Sequence, residues 1–128
     1  MTEQPASSHA VDEFIHRELD SVPHLEALLL LWNSRPKQWS VNDMAAALYV
    51  DYSVARDILH NLARRQLADR AEHDLYSYHS APHHDALMTA LETEYRRNLI
   101  RITRMIHAKA SPGVREFADA FRFKKDRE

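Results

Sequence analysis

Apolar residues recur every three or four positions along most of this chain, and they alternate with polar residues only between Leu67 and His79. The first spacing indicates amphipathic helices, whereas alternation with aromatic residues indicates short strands. The chain has 128 residues and one glycine, Gly113, and a glycine-poor composition favours helix. We therefore predict a mainly α fold with a small β-hairpin, and we exclude a glycine-rich phosphate-binding loop.

Capping residues and helix breakers divide the chain into three parts. We predict a disordered N-terminus over residues 1–8 and a core with an N-terminal helix over residues 9–82. Residues 83–128 are predicted to form a long helix, from about His83 to Lys109, and a short terminal helix after Ser111-Pro112. The apolar stripe of the long helix contains Leu87, Leu91, Tyr95, Leu99, Ile102, Met105 and Ile106. The terminal helix would turn Val114, Phe117, Ala118 and Phe121 inward.

The composition also indicates in which cellular compartment we expect the protein. The chain contains no cysteine, so disulfides and thiolate metal sites are excluded. Residues Met1 to Ala10 lack a basic start and an apolar run, and we predict no signal peptide. The apolar run from Ala27 to Trp32 is too short to span a bilayer. We expect a cytoplasmic protein that has no membrane partner.

The order of elements in the core is that of a winged helix-turn-helix. Ser40 is a good N-cap for a first short helix, and Val50 can plug the turn that follows it. A recognition helix is predicted from about Tyr52 to Arg65, and a wing at about 67–79. Three alanines are expected to let the two helices cross closely: Ala45, Ala46 and Ala47. The buried stripe of the recognition helix is predicted to be Val54, Ala55, Ile58, Leu59 and Leu62.

The stretch from Trp39 to Leu67, WSVNDMAAALYVDYSVARDILHNLARRQL, resembles winged-helix bacterial transcriptional regulators, including the MarR type. Those families favour an opening Trp or Leu with Ser or Thr, a Val in the turn, and the pattern "L..L...GL" before the wing. Leu59, Leu62 and Leu67 match that ending, and Gln66 replaces the glycine. The segments 21–31 and 117–126 also resemble a group of uncharacterised bacterial winged-helix proteins. The resemblance implies DNA binding and dimerisation through the terminal helices.

The free face of the recognition helix supplies the candidate DNA-binding residues. Arg56 can read guanine, while His60 and Ser53 can contact bases or phosphates. Arg70 in the wing can reach the DNA backbone or the minor groove. The full set of predicted DNA-binding residues is Tyr52, Ser53, Arg56, His60, Arg64 and Arg70.

The mixed charge of residues 37–79 favours an alternative to DNA binding. Residues 37–79 carry five basic and six acidic side chains, although affinity for DNA comes mostly from Lys and Arg contacts to phosphates. Asp57, Glu72 and Asp74 lie where phosphates would approach. A protein-interaction module on the same fold is therefore the alternative. We find no Ser-His-Asp or paired-carboxylate signature, and we predict neither an enzyme nor a cofactor.

Two further clusters have both a functional and a structural interpretation. His79, His83 and His84, with Asp85, have side chains that can bind zinc or nickel, but we predict a polar hinge without metal. Arg97, Arg101 and Arg104 lack an acidic residue four positions upstream. These arginines form either a stripe that binds phosphates or an acidic partner, or a solvated helix face. The apolar length of the C-terminal helices predicts a homodimer.

Overall fold

The computed structural model of the protein describes residues 7–108. The predicted fold class is confirmed: within these residues the chain is mainly α, with a two-stranded antiparallel hairpin after the fourth helix. This order is consistent with a winged helix-turn-helix arrangement. The predicted terminal helix after Ser111 lies outside the described residues. The elements are α1 (Ser8–Glu18), α2 (Val22–Asn33), α3 (Val41–Leu48), α4 (Tyr52–Arg64), β1 (Ala68–Ala71), β2 (Leu75–Tyr78), α5 (Asp85–Arg97) and α6 (Leu99–Ala108).

Serine side chains fix the starts of the first three helices. The hydroxyl of Ser7 accepts a hydrogen bond from the amide of Ala10 at 3.1 Å, and Ser40 caps α3 in the same way at 3.0 Å. Ser21 caps α2, and its hydroxyl also lies 2.6 Å from the His24 ring. Each cap satisfies an amide that the helix leaves unpaired. The N-terminus predicted to be disordered, residues 1–8, therefore overlaps the start of α1 at Ser7 and Ser8.

The hydrophobic core lies where α1, α2, α4 and α5 meet, and β2 closes it on one side. Four of the five residues predicted for the buried stripe of α4 are buried; Val54 is 42% exposed, and its prediction was wrong. Among the three alanines predicted at the helix crossing, Ala45 alone is buried. Val50 is half-buried and packs against the core, as expected for the plug of the turn.

The predicted long helix is two helices, and the break is at Asn98. Its backbone leaves the helical region at φ −130° and ψ 47°. The Asn98 side-chain amide donates to Glu94 at 3.1 Å, and the Arg101 guanidinium bonds both Glu94 and Asp12 at 3.0 to 3.2 Å. The bend lays α6 against α1, so Ile102 becomes fully buried within a single chain.

The break also divides the apolar stripe predicted for the long helix. Leu91, Ile102 and Ile106 are buried, whereas Leu99 is 50% exposed and its neighbour Ile100 is 68% exposed. The buried members pack into the protomer's own core. The apolar surface that remains for a partner on these helices is therefore much smaller than the sequence predicts.

The hairpin is joined to the helical core through its second strand. Ala68 pairs with Tyr78 and Ala71 with Leu75, so the tip is the three-residue segment Glu72–Asp74. Trp39 and Tyr76 exchange two backbone hydrogen bonds, which connect β2 to the chain just before α3. These bonds fix the position of the hairpin relative to the start of α3.

Gln66, the second residue after the end of α4, carries backbone strain. Gln66 has φ 63°, and the amides of Gln66 and Leu67 bond the carbonyls of Ala63 and Leu62, which is a Schellman motif. A left-handed conformation costs a residue with a Cβ about 1–2 kcal/mol, and glycine avoids this cost.

We expect Gln66→Gly to raise the free energy of unfolding by about 0.5–1 kcal/mol, since the greater flexibility of glycine in the unfolded chain offsets part of the gain. Urea unfolding followed by circular dichroism measures the change. Gln66→Val is the control and should destabilise the protein, because a β-branched residue fits a positive φ poorly. A loss of stability in the glycine variant would contradict the assigned backbone.

Candidate nucleic-acid interface

A tight turn sets the angle between α3 and α4. Tyr49 has φ 58°, and the Val50 amide bonds the Ala45 carbonyl at 3.1 Å, so this turn is a second Schellman motif. Val50 then packs on the core, as the hydrophobic residue after such a motif often does. Asp51 stands at the N-cap of α4, where its carboxylate is favourable to the helix dipole. The turn therefore holds α4 by its backbone and by one apolar side chain.

The outer face of α4 carries most of the predicted site. Its inner side chains, such as Ile58 and Leu62, are at most 3% exposed. Five of the six predicted residues lie on the other side, and each is exposed: Tyr52, Ser53, Arg56, His60 and Arg64. The structure thus brings these five together on one open helix face. Asn61, on the same helix, is half-buried and accepts a hydrogen bond from Arg65.

The wing lies beside this face. The ring of Tyr76 in β2 is 6.0 Å from the ring of His60 in α4. The carboxylate of Asp74 at the wing tip is close enough to His60 and Arg56 for their charges to lower its pKa. The sixth predicted residue, Arg70, is exposed on β1. Helix face and wing therefore form one continuous surface, which we call the α4–wing surface.

Acidic neighbours partly neutralise the cations of the α4–wing surface. The Arg56 guanidinium lies 3.8 Å from Asp57, and Arg70 Nε donates to Asp74 at 3.0 Å. The hydrogen bond from Arg70 holds the pKa of Asp74 below its usual range and raises that of Arg70. Within residues 7–108, Arg64 forms no ion pair. The surface is polar and mixed in charge rather than strongly basic.

The same surface also carries large hydrophobic side chains, and the exposure of two of them, Tyr49 and Val54, was not predicted. Tyr49 is 94% exposed, because its left-handed backbone points the ring away from the core. Tyr52 and Val54 in the first turn of α4 are 49% and 42% exposed. A large aromatic in a tight interhelical turn is the signal that sequence reasoning passed over. Together these three residues place an apolar edge beside the N-terminus of α4.

Tyr76 lies beneath the α4–wing surface. It is fully buried, and its hydroxyl has no hydrogen-bond partner among the described residues. Burial is the main reason why the pKa of Tyr76 is raised. Sequence alternation predicts that such a residue faces inward but does not show whether its hydroxyl finds a partner. The ring anchors β2 under α4, which keeps the wing next to the helix.

Arg65 anchors the far end of α4. Its guanidinium donates to the carbonyl of Arg17 at 2.9 Å and lies 3.6 Å from Glu18 and 3.4 Å from Asp20. These acceptors belong to the corner between α1 and α2. Arg65 therefore stabilises the contact between α4 and the α1–α2 corner, whereas its neighbour Arg64 is exposed to solvent.

The histidine cluster lies between the wing and α5. His79 Nδ1 is 2.7 Å from Asp69, which links the two sides of the hairpin. The rings of His83 and His84 are 4.3 Å apart, and burial next to Phe14 lowers the pKa of His84. Among residues 7–108, no group of three or more His, Cys, Asp or Glu is placed to hold a metal ion. This cluster lies at the hinge where the hairpin passes into α5.

Comparisons with protein-family models, with curated proteins and with solved structures find no match to this chain. No helix in the described part of the chain is long and apolar enough to cross a membrane. The architecture and its open α4–wing surface are therefore the basis for a functional proposal.

Proposed function

We propose that this protein is a DNA-binding transcriptional regulator in which α4 is the recognition helix and the β1–β2 hairpin is the wing. The observation that supports the proposal is that α4 has one buried face and one exposed face. Its inner face is anchored in the core, and its outer face holds Arg56, His60 and Arg64 exposed beside the wing. An α-helix with one free polar face fits the major groove of B-DNA. The resemblance of residues 39–67 to MarR-type regulators supports the same function.

Each exposed side chain has a role that suits its chemistry. Arg56, in the second turn of α4, can donate two hydrogen bonds to the O6 and N7 atoms of guanine. Ser53 and His60 flank it and can contact bases or phosphates. Tyr52 and Arg64 stand near the two ends of α4, where the phosphate backbones run past an inserted helix. Arg70 would extend the contact through the wing.

A direct test is to titrate the full-length protein into a pool of labelled genomic fragments at about 50 mM salt. We expect selective retention of some fragments, with an affinity that falls steeply as salt rises, because each neutralised phosphate releases counterions. Random-sequence duplexes of the same length are the control for non-specific binding. A folded protein that leaves every fragment unbound at low salt would contradict the proposal.

A protein partner is the second candidate, and two observations favour it. The Arg56–Asp57 and Arg70–Asp74 pairs reduce the positive charge available for phosphates. Tyr49, at 94% exposure, adds an aromatic side chain of the kind enriched at protein interfaces. The DNA titration separates the two functions, since a module that binds only protein leaves the labelled fragments free.

The proposed regulator would act as a homodimer, as two half-sites require. The exposed pair Leu99 and Ile100, at the corner between α5 and α6, is the apolar surface we assign to the second copy. Arg96 and Arg97 beside this corner can face the acidic N-terminal third of the other chain, where residues 1–36 carry two basic and six acidic side chains.

Ile100→Asp tests this assembly. We expect the wild type to sediment at twice the 14.9 kDa of one chain at micromolar concentration, and the variant to approach the monomer mass. A charge placed in an apolar contact that must be desolvated is strongly unfavourable. Thr89→Asp, an exposed change on α5, should leave the mass unchanged. A monomeric wild type would refute the dimer.

A further inference from the structure

Arg70 in the wing is held by the carboxylate of Asp74. Arg70 lies in β1, and Asp74 is the last residue of the tip before β2. Arg70 Nε donates to one Asp74 oxygen at 3.0 Å, and a guanidinium Nη donates to the same oxygen. About half of each side chain is exposed, 52% for Arg70 and 50% for Asp74. An ion in solution can therefore reach the pair.

The backbone of the tip turns the Asp74 carboxylate back toward β1. His73 and Asp74 have φ of 63° and 55°, so two successive residues without glycine are left-handed. His and Asp are among the residues most often found in that region. The Arg70–Asp74 pair spans this turn at i,i+4 and gives the conformation a favourable contact.

The pair faces the surface where DNA would lie. The wing packs beside α4, where the ring of Tyr76 in β2 lies 6.0 Å from the ring of His60. The hydrogen bond from Arg70 is the main reason why the pKa of Asp74 is lowered, and Arg56 of α4 adds a smaller contribution. A phosphate that approaches the wing would therefore meet a carboxylate between Arg70 and the recognition helix. A guanidinium whose N–H groups are bound to a carboxylate cannot donate those same groups to a phosphate.

We propose that Asp74 limits the affinity for DNA by holding two of the five N–H donors of Arg70 in the free protein, so that a backbone phosphate must displace the carboxylate to bind them. The inference rests on the proposed DNA-binding function. In this exchange a backbone phosphate takes the place of the Asp74 carboxylate on Arg70. The displaced carboxylate remains near the phosphate and repels it. Because backbone phosphates are the same in every sequence, this repulsion lowers the affinity for selected and random sequences by a similar factor.

The test is a double-mutant cycle on a random-sequence duplex at about 50 mM salt. Asp74→Asn removes the charge and retains a residue that tolerates a left-handed backbone. We expect it to bind about ten-fold more tightly, because it removes an anion that opposes the phosphates. In an Arg70→Ala background the gain should fall to about two-fold. Glu72→Gln is the matched control: it removes the same charge from the same hairpin tip and should give about two-fold in both backgrounds.

The outcomes separate the two proposals. Equal gains from Asp74→Asn with and without Arg70 would overturn the role of Asp74 and leave DNA binding intact. Weaker binding by Asp74→Asn would also overturn it, since Asp74 would then position Arg70 for DNA. If neither the wild type nor any variant binds duplex DNA, both the proposed function and this inference fail.

Discussion

Ile102→Ala should lower the free energy of unfolding by about 2–4 kcal/mol, which is the usual cost of removing a large aliphatic side chain from a packed core. Ile102 is fully buried because the bend at Asn98 lays α6 against α1. The loss should be independent of protein concentration, since the cavity forms within one chain. Chemical denaturation at two protein concentrations measures both quantities.

Arg104→Ala is the control. Arg104 is exposed in the same helix and lies outside the Leu99–Ile100 pair assigned to the second copy, so its truncation should change stability by no more than about 0.5 kcal/mol. A straight helix through Asn98 would place Ile102 on a surface that only a second chain can cover. In that case the Ile102→Ala loss would depend on concentration, and the assigned break would be wrong.

Arg56→Ala should weaken binding to a selected DNA fragment by about 1–3 kcal/mol, or roughly 5- to 150-fold. The variant loses a base contact from the centre of the α4 face, and it leaves Asp57 without its nearest cation. Fluorescence anisotropy at fixed salt measures the affinity, and circular dichroism checks that α4 stays folded. Selectivity against random-sequence duplexes should fall as well.

Arg104→Ala is the control for Arg56→Ala. Arg104 is exposed on α6 and, like Arg56, is an arginine on a helix surface. Because α6 packs against α1 rather than against the helix-turn-helix, removing its charge should change affinity by no more than about three-fold. Equal losses from the two variants would show that binding follows overall charge instead of the α4 face.

The sequence is most informative where local rules decide the structure. The change from helical to alternating spacing predicts α4 to within a residue at its C-terminus and predicts the hairpin. Ser40 is a capping residue as expected, since an N-cap depends on a few neighbouring residues. The outer face of α4 follows from the same period, so the exposure of five predicted residues on that face required no tertiary information.

Tertiary contacts decide what the sequence did not predict. The break at Asn98 depends on Arg101 reaching Asp12, 89 residues away, and no local signal shows that pair. The exposure of Val54 depends on how the turn at Tyr49 sets the rotation of α4. The bond between Arg70 and Asp74 requires two left-handed residues at the tip, which residue types favour only weakly.

An NMR titration of isotope-labelled protein with a selected duplex tests most directly whether the α4–wing surface binds DNA. We predict the largest amide shift changes at residues 52–60 and 68–74, with small changes along α5 and α6. Shift changes that are confined to α5 and α6, or are absent at saturating duplex, would contradict the assignment of α4 as the recognition helix.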